Sequence, residues 1–319
     1  MPLFQLYNED LSELIKSEAL AMGFFDCGIS AAGFMKEDAE FMEQWLEKSM
    51  QGSMQYLERN REKRYDISLL MEGAKSVITV LYNYFPQEKQ DENSHYKISK
   101  YAYGKDYHYV VKEKLKLLLE KIEAQTGKRK ARVFTDSAPV LDRAYARKSG
   151  LGFIGKNTLL INRKGGSFFF IGHIVIDLEL KPDKETTVNF CGSCTKCITA
   201  CPTNALKPFE LDARKCISYL TIENKDPEIP AAFRGKWDQW ILGCDICQDV
   251  CPWNRSATFH NEALFQMPEA LKKTDDAAWE NLDKQGYKQL FKGTAVERTG
   301  FKGLKRNVLF LKNQQDYEI

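Results

Sequence analysis

Apolar positions along the first 180 residues change period several times. Leu11, Leu14, Ile15 and Leu20 recur at helical intervals within Leu11 to Met22, and Ala39 to Leu46 repeats the pattern, so both segments are expected to be helices. Ser76 to Tyr82 is a β-branched, apolar run between polar flanks and reads as a buried strand. Gln87 to Ser94 is polar and reads as a loop. Tyr109 to Ala124 has the pattern of an amphipathic helix that ends before Gly127. A short strand follows at Ala131 to Phe134. Pro139 to Lys148 is expected to be a helix, with Ser137 capping its start and Gly150 beyond its end. Gly166 to Leu180 holds a long strand, Ser167 to Leu178. Such mixing of strands and helices predicts an α/β or α+β domain. Lys181-Pro182-Asp183-Lys184 reads as the boundary that follows it, and Gly303 to Asn313 closes the chain with helical character.

Composition narrows the picture little. A chain of 319 residues with 43% hydrophobic residues suits two or three domains with a sizeable core. No run approaches the roughly 18 to 20 apolar residues of a membrane helix. Met1-Pro2-Leu3-Phe4-Gln5 lacks the basic and apolar regions of a secretory signal, which argues against an oxidising compartment and against disulfides. The formal net charge is only +2, but from Lys284 to Arg306 seven basic residues stand against one acid, Glu297, with Phe291 and Phe301 among them. That stretch is either a phosphate-binding face or a solvated helical surface.

Cysteine spacing changes the picture most. Eight of the nine cysteines fall in or between two runs, Cys191-x2-Cys194-x2-Cys197-x3-Cys201-Pro202 and Cys244-x2-Cys247-x3-Cys251-Pro252. This is ferredoxin spacing, in which four thiolates hold each [4Fe–4S] cluster and the last cysteine of each run crosses to the other cluster. Zinc also takes Cys-x2-Cys pairs, but the first run is not a usual zinc spacing. The second run is one cysteine short, with Ile241 where a copy needs a thiol, and the lone Cys216 can supply it. One cluster is therefore expected on Cys191, Cys194, Cys197 and Cys251, and the other on Cys201, Cys216, Cys244 and Cys247. Cys27 is left as a buried small hydrophobe. The predicted architecture is an α/β (α+β) domain over 1–182, a ferredoxin-like two-cluster domain over 183–258 and a short helical C-terminal segment over 259–319. The middle part is expected to be held by its clusters more than by a large core.

Other motifs are weaker. Gly150-Leu-Gly152-Phe-Ile-Gly155 matches the dinucleotide pattern, yet a helix precedes it where a strand is needed. Its glycines still permit close backbone approach to a ligand. Asp106-Tyr107-His108 begins like the Asp-x-His-x-x-Gly motif that gives a histidine to cobalt in some corrinoid proteins, but Val111 replaces the glycine, so no histidine–cobalt bond is expected. His95, His173 and His260 are scattered and read as structural.

Two clusters form an electron wire that needs a terminus. Tyr101-Ala-Tyr103-Gly104-Lys105-Asp106-Tyr107-His108, Asp136-Ser137-Ala138-Pro139-Val140 and Gly150-Leu-Gly152-Phe-Ile-Gly155-Lys156-Asn157-Thr158 together resemble the epoxyqueuosine reductases. So do the cysteine runs with Cys216, and Lys305-Arg306-Asn307. The resemblance spans nearly the whole chain. Longer members of that family carry an added C-terminal helical-repeat domain; this chain stops at Ile319, so the resemblance does not extend to tRNA contacts made by those repeats. It implies a cobalamin in the first domain, two [4Fe–4S] clusters, an external low-potential electron donor, and a cytoplasmic, monomeric enzyme. The implied reaction reduces epoxyqueuosine to queuosine in a tRNA anticodon loop. Asp136 matches the family's proton donor, and a carboxyl acting as an acid near neutral pH needs burial to raise its pKa. A capping role for Asp136 is the bland alternative, and Asp142 is its nearest rival. Cobalamin contacts are expected from Arg59, Tyr101, Asp136, Lys156, Asn157 and Thr158, with Tyr103 and His108 as further candidates for proton delivery or substrate contact. The tRNA face is expected to use the basic C-terminal stretch, Lys305 and Arg306 included. Rival readings are another corrinoid iron–sulfur reductase, such as a reductive dehalogenase acting on a small molecule, and a non-catalytic electron carrier.

Overall fold

The computed structural model describes residues 3–91 and 93–315; Met1, Pro2, Glu92 and the last four residues lie outside it. At its centre is a four-stranded antiparallel sheet in the spatial order Asp26–Ala31, Ser76–Asn83, Phe169–Ile176, Ala131–Phe134. Successive side chains of a strand point to opposite faces, and Ser76–Asn83 shows why its sequence does not alternate. Ile78, Val80 and Tyr82 enter one apolar cluster with Ile15, Ala19, Leu115 and Leu118. Val77 and Leu81 point the other way, into clusters with Tyr145 and Ala146. Helices Leu3–Ala21 and Tyr107–Thr126 cover the first face and Asp142–Lys148 the second, so both faces are dry. Gly172 lets the long helix settle on the sheet, because a Cβ there would lie 2.9 Å from both Leu115 and Val111.

The expected helix at Pro139 begins only at Asp142. Ala138 precedes a proline, which disfavours helical backbone at that residue. The chain from Thr135 to Val140 instead makes two tight turns, Ser137 N–H to Thr135 O at 2.6 Å and Val140 N–H to Ala138 O at 2.8 Å. Ser137 caps nothing; its hydroxyl accepts from Lys112 Nζ. Gly150, at φ +75°, takes the left-handed position after the helix as expected. The dinucleotide-like glycines open a hairpin, Phe153–Ile154 with Leu160–Ile161, and not a helix. Their close backbone approach is internal: a Cβ on Gly152 would meet Ile161 O at 2.4 Å.

Lys181–Lys184 packs back on the sheet, with Asp183 accepting from Ile29 N–H and Lys16 Nζ, both at 2.8 Å. The cysteine-bearing part is not held by its cysteines alone. Ile217, Leu220, Trp237 and Trp240–Leu242 enter a second core with Trp279, Phe291, Leu304 and Val308, and so do Tyr96, Ile98, Ala102 and Tyr103 from the first half of the chain. Strand Lys97–Ile98 pairs in parallel with Trp240–Leu242. Asn307, fully buried on helix Gly300–Gln315, donates to Thr221 O and Ile241 O and so fastens the end of the chain to this core.

Lys100 fixes the same junction. It is 7% exposed, and its ammonium meets Asp249 at 2.7 Å and Asp245 at 3.3 Å. Burial alone would lower its pKa, but the two carboxylates outweigh that and keep it charged. Asp249 is pushed up by burial and by the like charge of Asp245, and Lys100 draws it back down. Lys100→Met should cost about 3–5 kcal/mol, because it strands buried charge. Urea unfolding of the iron-loaded protein checks this, and a loss under about 1 kcal/mol would mean that the ion pairs do not hold the junction.

Candidate active site

Asp136 stands where Ala131–Phe134 leaves the sheet, in the left-handed region at φ +52°. Non-glycine residues there are strained, and such strain persists where the surroundings enforce it. Tyr107 Oη donates to its carboxylate, and His108 Nε2 lies 3.6 Å from it. His108 Nδ1 pairs with Asp106 at 2.7 Å, and the Tyr107 ring stacks on His108 and on Phe170. Asp106 also caps the long helix, which begins at Tyr107, by accepting from His108 N–H. The cap thus places Tyr107 and His108 at a helix start facing Asp136.

The electrostatics reverse one expectation. Burial would raise the Asp136 carboxyl, but His108, Tyr107 and the charge of Arg298 outweigh it and hold it below the ordinary carboxylate range. Burial likewise would lower His108, yet pairing with Asp106 and Asp136 raises it to about 9. At neutral pH His108 is therefore protonated, between two carboxylates.

The Asp136 side chain remains 59% exposed although groups from distant parts of the chain surround it, so it lines an open concavity. Arg298 faces it from beyond the second core, paired with Glu223 at 2.8 Å and set over the Tyr56 ring. Arg143 lies on a further side and donates to Thr158 O. Tyr101 meets Tyr107 edge-on and touches Gly243, next to Cys244. Glu223 caps the end of helix Ile217–Ile222, which starts from Cys216. Arg298 was visible in the sequence only as one charge in a basic stretch. Nothing in the sequence links Tyr56 or Glu223 to Asp136.

The cysteines lie near one another in two overlapping sets, although among the described residues no three side chains stand close enough to hold a metal ion as they are. Cys197 and Cys251 neighbour Cys191, and Cys251 also neighbours Cys194. Cys216 neighbours Cys201, Cys244 and Cys247, and Cys247 also reaches Cys197. Burial raises the thiols of Cys197, Cys216 and Cys251, and most strongly those of Cys244 and Cys247. A bound metal reverses that logic by taking the thiolate. Cys27 is buried in the sheet core, as a small hydrophobe would be.

Lys156 and Asn157 face the cysteine loops. Lys156 Nζ donates to Gly192 O and Cys194 O, its N–H reaches Cys191 Sγ, and Asn157 Nδ2 donates to Cys247 O. Thr158, at φ +65°, turns the backbone back toward Arg143. Arg59 is exposed, three residues beyond Tyr56. Tyr103 is buried in the second core, and Asp142 pairs with the buried His173 beneath the sheet. His95 pairs with Asp276 at the surface, and His260 is buried beside Phe265.

The basic stretch divides. Lys284, Lys288, Lys292 and Lys302 are exposed. Lys305 instead donates to Glu280 O, and Arg306 to the carbonyls of Leu220, Asn224 and Asp226. Those two serve the fold, and charge reversal there would damage the core rather than probe a surface.

Comparison with known proteins places these features in a family. Residues 64–137 match the family model described as "Epoxyqueuosine reductase QueG, DUF1730", and residues 190–254 match a 4Fe-4S double cluster binding domain. An epoxyqueuosine reductase of Leadbetterella byssophila is 53% identical over 303 residues, which cover 95% of this chain and 99% of the relative. The solved structure of epoxyqueuosine reductase from Streptococcus thermophilus is 30% identical with a TM-score of 0.84, over 95% of this chain and 81% of that one. An epoxyqueuosine reductase solved with an epoxyqueuosine-modified tRNA-Tyr stem loop is 27% identical with a TM-score of 0.82, over 96% and 81%.

Proposed function

Because the chain belongs to the epoxyqueuosine reductase family, we propose that it reduces epoxyqueuosine to queuosine in a tRNA anticodon loop, with a cobalamin in the Asp136 concavity and two [4Fe–4S] clusters as its electron relay. The observation that carries this reading is the placement of Asp136 and its proton-holding neighbours in an open concavity beside the Cys216 helix. By this reading residues 1–182 hold the cofactor, 183–258 the clusters and 259–319 the closing helices. It works as a cytoplasmic monomer supplied by an external low-potential donor. No helix among the described residues is long and apolar enough to cross a membrane.

The concavity suits a large, flat, amide-fringed cofactor. Its rim offers aromatic rings and hydroxyls (Tyr56, Tyr101, Tyr107), a guanidinium (Arg143) and the turned backbone at Thr158. Lys156 and Asn157 meet such a cofactor through backbone, since their side chains bracket the cysteine loops. Cobalamin held there would supply one-electron redox chemistry beside the substrate ring.

The chain's own work is to hold the anticodon base and move protons. Reduction of the epoxide takes two electrons and two protons and releases its oxygen as water, leaving a carbon–carbon double bond. As the C–O bond breaks, oxygen gains negative charge and needs a proton. Asp136 passes it on from His108 Nε2, while Asp106 holds the other ring nitrogen and Tyr107 fixes the carboxylate's orientation. The second proton enters from solvent through the open concavity. Exposed Lys284, Lys288, Lys292 and Lys302 attract the tRNA backbone and make its affinity fall with salt.

The test uses protein purified without oxygen, loaded with iron, sulfide and cobalamin, and given tRNA bearing epoxyqueuosine. About eight irons and one cobalamin per chain, with conversion to queuosine seen by nucleoside mass spectrometry, is the expected result. Eight irons without cobalamin binding would overturn the cofactor assignment. Conversion of a halogenated small molecule without tRNA would favour the dehalogenase reading.

A further inference from the structure

We propose that the surface around Cys191, Cys194 and Cys197 is the docking site for a small acidic electron-carrier protein of the flavin or iron–sulfur type. The inference rests on the reading above that these cysteines hold a cluster. Three chain segments build this face: 152–168, 186–209 and 250–256. Together they carry six basic residues (Lys156, Arg163, Lys164, Lys196, Lys207, Arg255) and no aspartate or glutamate. Among the described residues none of the six forms an ion pair. Arg163, Lys164, Lys196 and Arg255 are exposed.

The first cysteine group is also the outward one. Its loop tip, Gly192-Ser193, is exposed, and nothing lies within 4 Å of where a Gly192 side chain would start. Phe190 packs edge-on against Phe153 and Trp253 beside Cys191 and Cys251, and the Arg163 guanidinium lies 4.5 Å from its ring. The positive collar thus reaches the apolar shell of the group itself. The segments flanking the second group carry the acids Asp212, Glu223, Asp245 and Asp249, each held in an ion pair with Arg214, Arg298 or Lys100. The second group is also the one joined to the Asp136 concavity, through the helix that runs from Cys216 toward Glu223 and Arg298. Single electrons therefore enter at the first group and leave at the second: the carrier is oxidised by one electron, the first cluster reduced by one, and no bond is made. A basic collar at the entry steers an acidic partner and speeds encounter at low salt. An RNA bound on this collar would sit at the far end of the relay from Asp136.

The experiment compares the fully loaded enzyme with its K164E/K196E/R255E variant. Stopped-flow bleaching of the cluster absorption is recorded with reduced flavodoxin and with reduced methyl viologen, and tRNA affinity is measured in parallel. The expected result is a fall in the flavodoxin rate constant on the order of 10- to 1000-fold at low ionic strength, largely erased at high salt. The viologen rate and tRNA affinity stay unchanged. A flavodoxin rate within about twofold of wild type overturns the proposal, as does lost tRNA affinity with the carrier rate intact, which would make the collar an RNA face. If the triple variant loses iron, Lys164→Glu, outside the cysteine loops, decides alone by the same readouts. Wild-type clusters that viologen cannot bleach would instead defeat the underlying cluster reading.

Discussion

Asp136→Asn should lower turnover by about 100- to 10,000-fold, the range that positioned proton transfer contributes, while iron and cobalamin contents stay at wild-type levels. Asparagine keeps the shape and still accepts from Tyr107, but it cannot carry a proton from His108 to a departing oxygen. Near-normal turnover would remove Asp136 from the mechanism and leave it a strained turn residue. The same geometry fixes the sign of the pH dependence. His108 is raised to about 9, so its proton is present below that pH and lost above it. Asp136 is held below the ordinary carboxylate range, so it stays ionised through neutrality. The rate should be flat from about pH 6.5 to 8 and should fall about tenfold per unit above 9, as loss of one proton requires. A profile already falling between pH 6 and 7 would contradict the assignment of the proton to His108.

Cys216→Ala should halve the iron, from about eight to about four per chain, and abolish turnover. Cys216 is the lone ligand between the two runs, and its helix leads from the second group to the concavity. Losing that group leaves the first one filled but disconnected. Cys251→Ala should halve the iron as well, but from the other cluster. The crossed arrangement therefore predicts that a change in the second run empties the site built mainly by the first. Full iron content and normal turnover in Cys216→Ala would remove it from the ligand set.

How far the sequence could be read depended on the range of the interaction. The long strands and the helix from Tyr107 were legible because their apolar period reports directly which faces are covered. The cysteine groups were legible because ligand spacing is local. The helix starts at Asp142 and not at Pro139, because the turns at Ser137 and Val140 come first and no sequence period marks them. Arg298, Tyr56 and Glu223 were not legible as a group, since only the tertiary fold brings residues so far apart to Asp136. Arg306 shows the same limit from the other side. A count of charge made it part of a surface, whereas its guanidinium is committed to backbone carbonyls. The direction of the Asp136 shift was missed for a related reason. Burial alone points upward, and only the positions of His108 and Tyr107 reverse it.

The strand Lys97–Ile98 and its neighbours Tyr96, Ala102 and Tyr103 lie in a core whose other members extend to Leu311. This carries a consequence for synthesis on the ribosome. At about 5–20 residues per second, the partners of that segment emerge some 10–40 s after it does. Until then Tyr101 has only its first-core neighbours such as Tyr107, and Arg298, opposite Asp136, has not yet been made. The pocket is thus completed only once the segment carrying Arg298 has been made, and cofactor loading becomes a late event that a chain cut short of Arg298 cannot begin.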